Sequence, residues 1–317
     1  MLIKINNDIP LHGCIAFGII DRGTNLIQIR PTSICNLRCI YCSVSANDKK
    51  IHPYEFEVEL DYLVNEVKKV VELKGEIEAN IDSVGEPLMY PKIVELVKKL
   101  KEIKGVKRIS MQTNGILLTK DKVDEFINAG LDRLNLSINS LDKELAKYLS
   151  GGEYDLDKIL EIIRYANIKL ELLLAPVWIP KINDEEIPKI IKLAKELKCK
   201  IGIQNYEVYK HGRKVKSVKP LNFYKFYKQL ETWEKEFDIK LKLSAKDFEI
   251  KESKRVPITF KKGEKVRVKI KIPGWMEGQM TGVAKDRCIT ILDCNKKANQ
   301  RRNVRILSNK DGIYVAK

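Results

Sequence analysis

Six times in the first 250 residues, a short apolar run rich in β-forming residues is followed by apolar residues at helical spacing. The runs lie at Leu26–Arg30, Ile77–Ser83, Arg108–Gln112, Arg133–Ile138, Lys169–Val177 and Lys200–Tyr206. Helical patterns follow near residues 60–71, with Gly75 as a plausible stop, and near 91–100, 121–129, 157–166, 185–197 and 223–237. Strands that alternate with helices favour a parallel sheet with crossover helices outside. We therefore expect an α/β fold, a partial (βα)6 TIM-type barrel two units short of the full eight.

The pattern changes past Glu252. Short strands without a helical repeat are expected at Val266–Ile272, Gln279–Val283, Cys288–Leu292, Asn303–Leu307 and Gly312–Val315. Gly-rich or charged turns separate them, which is typical of a small all-β barrel. The predicted organisation is an N-terminal segment at 1–24, an α/β core at 25–250 and the barrel at 251–317.

The positive charge of the chain is concentrated in this C-terminal part. The net charge is +16, and residues 251–317 contain 18 Lys and Arg against 6 Asp and Glu, a surplus of 12. A solvated, lysine-rich thermophile surface would spread the charge more evenly. The asymmetry favours a polyanionic partner.

Three cysteines follow the first predicted strand closely enough to bind one centre: Cys35, Cys39 and Cys42. Zinc and iron–sulfur clusters are the usual occupants, and both usually take four protein ligands. His52 lies ten residues past Cys42, too far for a zinc knuckle. Three thiolates on a [4Fe–4S] cluster would leave one iron open to another ligand. A zinc site or three incidental thiols are the alternative interpretations. The loop follows a strand end, where parallel α/β folds place their chemistry.

This spacing, with Tyr41 directly before the last cysteine, resembles the signature of the radical S-adenosylmethionine (radical SAM) enzymes. Ser83-Val84-Gly85-Glu86-Pro87-Leu88, after the second strand, resembles the Gly-Glu-Pro motif of that family, where backbone groups and the carboxylate receive the methionyl ammonium. Alone, Gly85-Glu86-Pro87 is also an ordinary strand-to-helix turn. The resemblance spans residues 25–245, and the opening segment from Pro10 to Asn25 resembles an archaeal group of predicted iron–sulfur oxidoreductases.

The resemblance implies two cofactors, a [4Fe–4S] cluster and S-adenosylmethionine. It also implies reductive cleavage of S-adenosylmethionine to a 5′-deoxyadenosyl radical, with electrons from a ferredoxin- or flavodoxin-type donor. Further cofactor contacts are expected at the later strand ends: Thr113, Asn114, Ser137, Asn139, Gln204 and Asn205. For Ser137 and Asn139, capping a helix or closing a turn is the alternative role.

The C-terminal barrel resembles a TRAM domain, a small OB-like RNA-binding module found on several tRNA-modifying enzymes. The match includes the opening strand after Gly263 and the hairpin around Gly282-Val283. The candidate RNA contacts are Lys265, Arg267, Lys269, Trp275, Arg301, Arg302 and Arg305. Cations neutralise phosphates, and Trp275 would stack a base unless it is a core residue.

Two further residues are candidates for catalysis. Cys14 would carry a group if the reaction used a protein thiol, although a lone cysteine is more often small core filling. His211 follows the sixth strand, where substrate would arrive. Nothing at the N-terminus resembles a signal segment and no apolar run spans a bilayer, so we expect a cytoplasmic protein without a membrane partner.

The sequence thus predicts a radical SAM enzyme that modifies RNA, most simply tRNA. A radical SAM enzyme acting on a protein, lipid or small metabolite is the first alternative. A non-catalytic iron–sulfur or zinc protein that binds RNA is the second, and Gly85-Glu86-Pro87 argues against it.

Overall fold

The computed structural model describes residues 1–295 and 297–317, which divide into two compact units. The first unit comprises residues 1–36, 47–109 and 250–317, and the second comprises residues 37–46 and 110–249. Among the described residues, no helix is both long and apolar enough to cross a membrane.

The first unit begins with a small α/β layer. Its elements are β1 (Leu2–Ile5), β2 (Gly18–Asp21), β3 (Leu26–Arg30), β4 (Glu55–Val58), α1 (Leu60–Lys74), β5 (Ile77–Ile81) and α2 (Ile93–Lys101). Strand β3 is parallel to β5, β2 is antiparallel to β3, and β1 is parallel to β4. The sequence predicted β3, β5 and both helices. It missed β1, β2 and β4, whose four residues each are too short to show a period.

Helix α1 shows why the periodic segments fold as expected. Leu63, Val67 and Val70 recur at helical spacing and are buried. Gly75 follows the last helical residue with φ of 83°, a conformation that favours glycine. One apolar stripe of the helix is therefore buried, and the helix ends where the stripe ends.

Strand β6 (Val106–Thr113) runs from the first unit into the second, where the parallel pattern continues. The other elements of the second unit are α3 (Lys120–Ala129), β7 (Arg133–Leu136), α4 (Lys143–Ser150), α5 (Leu156–Asn167), β8 (Glu171–Leu174), β9 (Val177–Trp178), α6 (Glu186–Leu197), β10 (Lys200–Ile201), β11 (Gln204–Asn205) and α7 (Phe223–Phe237). Strand β7 is parallel to β6 and β8, and β10 is parallel to β8. The sequence missed the short helix α4, whose N-terminus is capped by Asp142.

Two predicted long strands are each divided in the structure. The run 169–177 becomes β8 and β9, separated at Pro176, which has no N–H to donate to a ladder. The run 200–206 becomes β10 and β11, and β11 pairs with β9 rather than with β8. The last residues of both runs therefore form a separate parallel pair beyond the main sheet.

The C-terminal barrel belongs to the first unit. Strands β12 (Lys265–Pro273), β13 (Met280–Ala284), β14 (Arg287–Ile291), β15 (Arg301–Ser308) and β16 (Val315–Ala316) close in the order β12-β13-β14-β16-β15. Val266, Val268 and Ile270 alternate inward along β12 and join Ile289 and Tyr314 in the core. The predicted small five-stranded barrel is confirmed.

The N-terminal segment packs on this barrel. The backbone N–H of Cys288 donates to the carbonyl of His12 at 2.7 Å, and that of Tyr314 donates to the carbonyl of Gly13 at 3.0 Å. A Cβ on Gly13 would lie 2.1 Å from the carbonyl oxygen of Cys288, and its φ is +113°. Glycine is therefore required at position 13, because the two backbones meet there.

Candidate active site

The Gly85-Glu86-Pro87 turn packs on the residues that lead into the cysteine loop. The Glu86 N–H donates to the carbonyl of Ile34 at 2.8 Å, and a Cβ on Gly85 would lie 2.2 Å from the same oxygen. Glu86 is 2% exposed, and its Oε1 accepts from the Leu88 N–H at 3.0 Å. The turn thus places the buried Glu86 carboxylate next to Ile34, the residue directly before Cys35.

The three candidate ligands are thiols outside any disulfide on the loop after β3, each partly exposed. Cys35 belongs to the first unit, while Cys39 and Cys42 belong to the second. The Cys42 N–H donates to the carbonyl of Cys39 at 3.1 Å, and the Ala46 N–H approaches Cys42 Sγ at 3.3 Å. A backbone donor on Sγ suits a metal-bound thiolate, because it stabilises charge on the sulfur.

Tyr41 lies between Asn139 and one candidate ligand. Asn139 Nδ2 donates to Tyr41 Oη at 2.5 Å, and Tyr41 also hydrogen-bonds the Cys39 side chain. Burial, with the neighbouring Cys42 as a second cause, raises the pKa of Cys39 to about 11. The free thiol is therefore protonated at neutral pH, so that binding of a metal must displace its proton.

Across residues 1–295 and 297–317, no three His, Cys, Asp or Glu side chains are grouped as a formed metal centre. The donor chemistry of the cysteine loop nevertheless fits iron: three thiols outside any disulfide, a backbone donor on one sulfur and a tyrosine on another. Their role as ligands remains a proposal.

Two of the predicted cofactor residues close the turn after β6, and a third extends the ladder between β6 and β7. Thr113 is 1% exposed and its Oγ1 accepts from the Gly115 N–H at 3.0 Å, while Asn114 Oδ1 accepts from the Ile116 N–H at 3.1 Å. Ser137 is partly buried, and its N–H donates to the carbonyl of Thr113 at 2.9 Å. The bonds of Thr113 and Asn114 are ordinary turn roles, whereas that of Ser137 is a backbone bond between neighbouring parallel strands.

Asn205 differs, because half of its amide group is unused. Its Nδ2 donates to the carbonyl of Leu221 at 2.8 Å, but Oδ1 is buried and has no hydrogen-bond partner among the described residues. A buried acceptor without a partner costs about 1–3 kcal/mol. Such an atom at the end of the sixth strand is suited to a ligand donor. Gln204 beside it is exposed.

The loop after β11 contacts the cysteine loop through residues that the sequence did not single out. Arg213 donates from its backbone N–H to the carbonyl of Cys42 at 2.8 Å, and its guanidinium reaches the carbonyls of Cys39 and Ala46. A Cβ on Gly212 would lie 2.6 Å from the carbonyl oxygen of Ser43. No periodicity marks such a loop. The predicted candidate His211 is exposed.

Cys14 lies in the core of the first unit. It is 3% exposed and lies close enough to Cys288 to affect the pKa of that buried thiol. Burial raises the pKa of Cys14, and the Ala16 N–H lies 3.4 Å from its sulfur. These surroundings favour the packing role, because a reactive cysteine needs exposure and a lowered pKa.

The barrel presents cations in register on the outer face of β12 and β15. Lys265 lies directly opposite Arg305, and Lys269 lies directly opposite Arg301. All four are exposed, as is Arg267 between them. Within the described part of the chain, no carboxylate lies within 4.0 Å of these five cations. We call the five residues the basic face.

Two other predicted RNA contacts lie elsewhere. Arg302 points away from the basic face, is half-buried and lines a groove with Asp293 and Cys294. Trp275 is 5% exposed and stacks on His52. The ring of Trp275 is therefore occupied by a protein contact, which favours the core role over base stacking.

Comparison with known proteins identifies the α/β part. Solved structures with this fold include SuiB of Streptococcus suis bound to S-adenosylmethionine, at a TM-score of 0.54 and 20% identity, covering 69% of this chain and 49% of that one. A GTP 3′,8-cyclase of Campylobacter jejuni subsp. doylei is 33% identical over 186 residues, which cover 57% of this chain and 55% of the cyclase. The chain thus spans about half the length of such a relative.

Similarity over the whole chain is found with an uncharacterized protein of Methanocaldococcus jannaschii. It is 44% identical over 345 aligned positions, covering 99% of this chain and 80% of that protein. The family model described as Radical SAM superfamily matches residues 29–194, a span that begins in β3 and includes the cysteine loop and the Gly85-Glu86-Pro87 turn. This chain belongs to the radical SAM superfamily.

Proposed function

We propose that Cys35, Cys39 and Cys42 bind the [4Fe–4S] cluster, and that Glu86 and Asn205 bind S-adenosylmethionine. The two cofactors predicted from the sequence are confirmed by membership of the family. When bound, the cluster supplies the electron that breaks the C5′–S bond of S-adenosylmethionine. The observation that carries the assignment is the packing of the Gly85-Glu86-Pro87 turn on Ile34, next to the first cysteine.

The protein's own residues orient the cofactor. The buried Glu86 carboxylate would provide a charge-assisted acceptor for the methionyl ammonium, and the unused Oδ1 of Asn205 would accept from the exocyclic amine of the adenine. Tyr41 holds the sulfur of Cys39 by a hydrogen bond and is itself fixed by Asn139. With the cofactor bound, these contacts would hold and orient it.

The ligand assignment is tested by removing the thiols. Anaerobically reconstituted protein should contain four iron atoms per chain, and a variant with all three cysteines changed to alanine should contain none. Cys199→Ala is the matched control, because Cys199 is also a free and partly exposed thiol. Iron and sulfide retained by the triple variant would show that the cluster is bound elsewhere.

We propose further that the substrate is RNA, most simply tRNA, held by the TRAM-like barrel. The support is the basic face, where Lys265 opposes Arg305 and Lys269 opposes Arg301. Like charges directly opposite on neighbouring strands destabilise a sheet. Five exposed cations without a carboxylate beside them are best explained by a polyanion, since each phosphate contact releases counterions and stabilises the complex.

Salt dependence tests the RNA proposal. For intact protein and tRNA, log affinity should fall with log salt by about 0.7–0.9 per phosphate neutralised. Replacing Lys269, Arg301 and Arg305 by glutamine should reduce the slope by two to three units on that basis. The matched control replaces three exposed lysines of the α1–α2 region, Lys68, Lys92 and Lys98, by glutamine. An affinity that ignores salt, or an equal effect of the control, would exclude the basic face.

The second candidate is a radical SAM enzyme that acts on a small nucleotide or another metabolite. Its support is the likeness to GTP 3′,8-cyclases over the α/β part. Comparing RNA nucleosides by mass spectrometry between a deletion strain and its parent separates the two. A nucleoside missing from the deletion strain supports RNA modification. If the RNA nucleosides are unchanged and the reduced enzyme consumes GTP, a small nucleotide is supported as the substrate. A ferredoxin- or flavodoxin-type donor and a cytoplasmic location remain predictions.

A further inference from the structure

We propose that Gly212 and Arg213 form a clamp that fixes residues Cys39–Ala46 and sets the reduction potential of the cluster. This inference rests on the proposed binding of the cluster by Cys35, Cys39 and Cys42. It assigns a positioning role to two residues beyond the cysteines and the cofactor contacts. The clamp lies wholly within the second unit, so that each contact below is within one compact body.

The guanidinium of Arg213 donates hydrogen bonds to several backbone carbonyls of the cysteine loop. Nη1 donates to the carbonyl of Cys39 at 3.2 Å, and Nη2 donates to that of Ala46 at 2.6 Å, with the carbonyl of Ser45 at 3.5 Å. The backbone N–H of Arg213 donates to the carbonyl of Cys42 at 2.8 Å. One residue therefore satisfies the carbonyls of two candidate ligands. A planar fork of donors can bind several carbonyls at once, and a lysine ammonium cannot reproduce that geometry.

Gly212 makes this approach possible. A Cβ at position 212 would lie 2.6 Å from the carbonyl oxygen of Ser43 and 3.1 Å from that of Cys42. Real Cβ atoms do not come that close to backbone oxygens, so any larger residue would push the two loops apart. The glycine and the arginine are thus adjacent for one physical reason, close contact with the cysteine loop.

The charge of Arg213 has a consequence beyond geometry. The guanidinium is permanently positive and is partly buried beside the loop that contains Cys39 and Cys42. One-electron reduction adds a negative charge to a cluster, and a nearby cation stabilises the reduced state more than the oxidised one. Net charge and hydrogen bonding near the sulfurs are among the factors that set iron–sulfur potentials. Arg213 should therefore raise the potential and make the cluster easier to reduce.

The test uses Arg213→Gln, Arg213→Lys and the control Lys214→Gln. Lys214 is exposed, and its side chain makes no hydrogen bond or ion pair among the described residues. Lys214→Gln therefore removes the same charge one residue away. The readouts are iron per chain and the midpoint potential from an anaerobic spectroscopic titration. We expect Arg213→Gln to lower the one-electron reduction equilibrium constant at least tenfold, about 59 mV. Arg213→Lys should show a smaller shift, because it keeps the charge, together with partial loss of iron.

Gly212→Ala provides the second variant. It keeps every charge but cannot keep the close approach, so it should assemble less iron than the wild-type chain. If Arg213→Gln assembles no cluster, the positioning role is supported. The midpoint potential is then measured on Arg213→Lys. Wild-type iron and potential in both Arg213 variants, or an equal shift in Lys214→Gln, would overturn the clamp. If the triple cysteine variant loses its iron but the Arg213 variants keep wild-type iron and potential, the clamp alone is overturned. If the triple variant retains iron, the ligand assignment is overturned together with the clamp.

Discussion

His52 and Trp275 stack face to face, with ring centroids 3.9 Å apart and planes inclined by 22°. His52 Nδ1 also lies 3.4 Å from the carbonyl oxygen of Trp275, and the Glu277 N–H donates to the carbonyl of Ile51 at 3.0 Å. Both partners belong to the first unit. The contact joins the segment that follows the cysteine loop to the barrel.

Trp275→Ala should therefore lower stability and leave RNA binding through the basic face intact. Truncating a buried aromatic side chain costs about 3–5 kcal/mol. Denaturant unfolding of the barrel should show that loss. The salt slope of tRNA binding should stay at the wild-type value under conditions where the variant is folded. A wild-type stability with a reduced affinity for single-stranded RNA would instead restore Trp275 as a base-stacking residue.

Glu86→Gln should keep the cluster and weaken binding of S-adenosylmethionine. The amide oxygen can still accept from the Leu88 N–H, so that the turn is preserved while the charge is lost. Hydrogen bonds to charged groups contribute about 1.5–3 kcal/mol, which corresponds to an increase of about 10- to 150-fold in the dissociation constant. Equilibrium dialysis with S-adenosylmethionine measures it. Glu59→Gln, at an exposed carboxylate, is the control, and an unchanged constant in Glu86→Gln would remove that residue from the site.

Asn205→Leu should also weaken S-adenosylmethionine binding, because it removes the acceptor proposed for the adenine amine. The expected loss is about 0.5–1.5 kcal/mol, the usual contribution of a neutral hydrogen bond. Gln204→Leu is the matched control on the same strand, since Gln204 is exposed. If Asn205→Leu binds S-adenosylmethionine as well as Gln204→Leu does, the unused Oδ1 of Asn205 does not bind the adenine amine.

Cys14→Ala should retain both S-adenosylmethionine cleavage and the modified product. The thiol is buried and its pKa is raised by burial, so that it is neither exposed nor ionised. We expect only a small loss of stability, about 1 kcal/mol. RNA nucleosides from a deletion strain complemented with the variant provide the measurement. Cleavage retained with the modified nucleoside lost would instead show that Cys14 takes part in the reaction.

His12 should make stability depend on pH. Burial, and next the Arg287 guanidinium, lower the pKa of His12 from 6.5 to about 4. The unfolded chain therefore binds an extra proton between these values, and this contribution is fully present above pH 6.5 and is lost as the pH falls towards 4. Its size is at most about 3–4 kcal/mol. Unfolding curves of His12→Asn should lose this part of the pH dependence, whereas His211→Asn, at the exposed histidine, should keep it. If stability depends on pH in the same way in both variants, His12 is not the source of this pH dependence.

The local patterns of the sequence predicted the parts of the fold that depend on period and on turn chemistry. Helix α1 and strand β12 each bury one face, so that apolar residues recur at 3.6 or 2.0 residues and reveal the element. The cysteine spacing and the Gly85-Glu86-Pro87 turn are similarly local. Their geometry is set within a few residues, so that the sequence alone indicates the family.

Only the tertiary structure could decide contacts between distant segments. Arg213 reaches Cys39 across 174 positions of the chain, and Cys288 meets the segment containing His12 and Gly13 across more than 270. No period or motif encodes such pairs, because they depend on which loops the packed sheet and barrel bring together. For the same reason the sequence could not show that Trp275 is covered by His52, or that Lys265 faces Arg305 across two strands. Register and burial are properties of the folded chain as a whole.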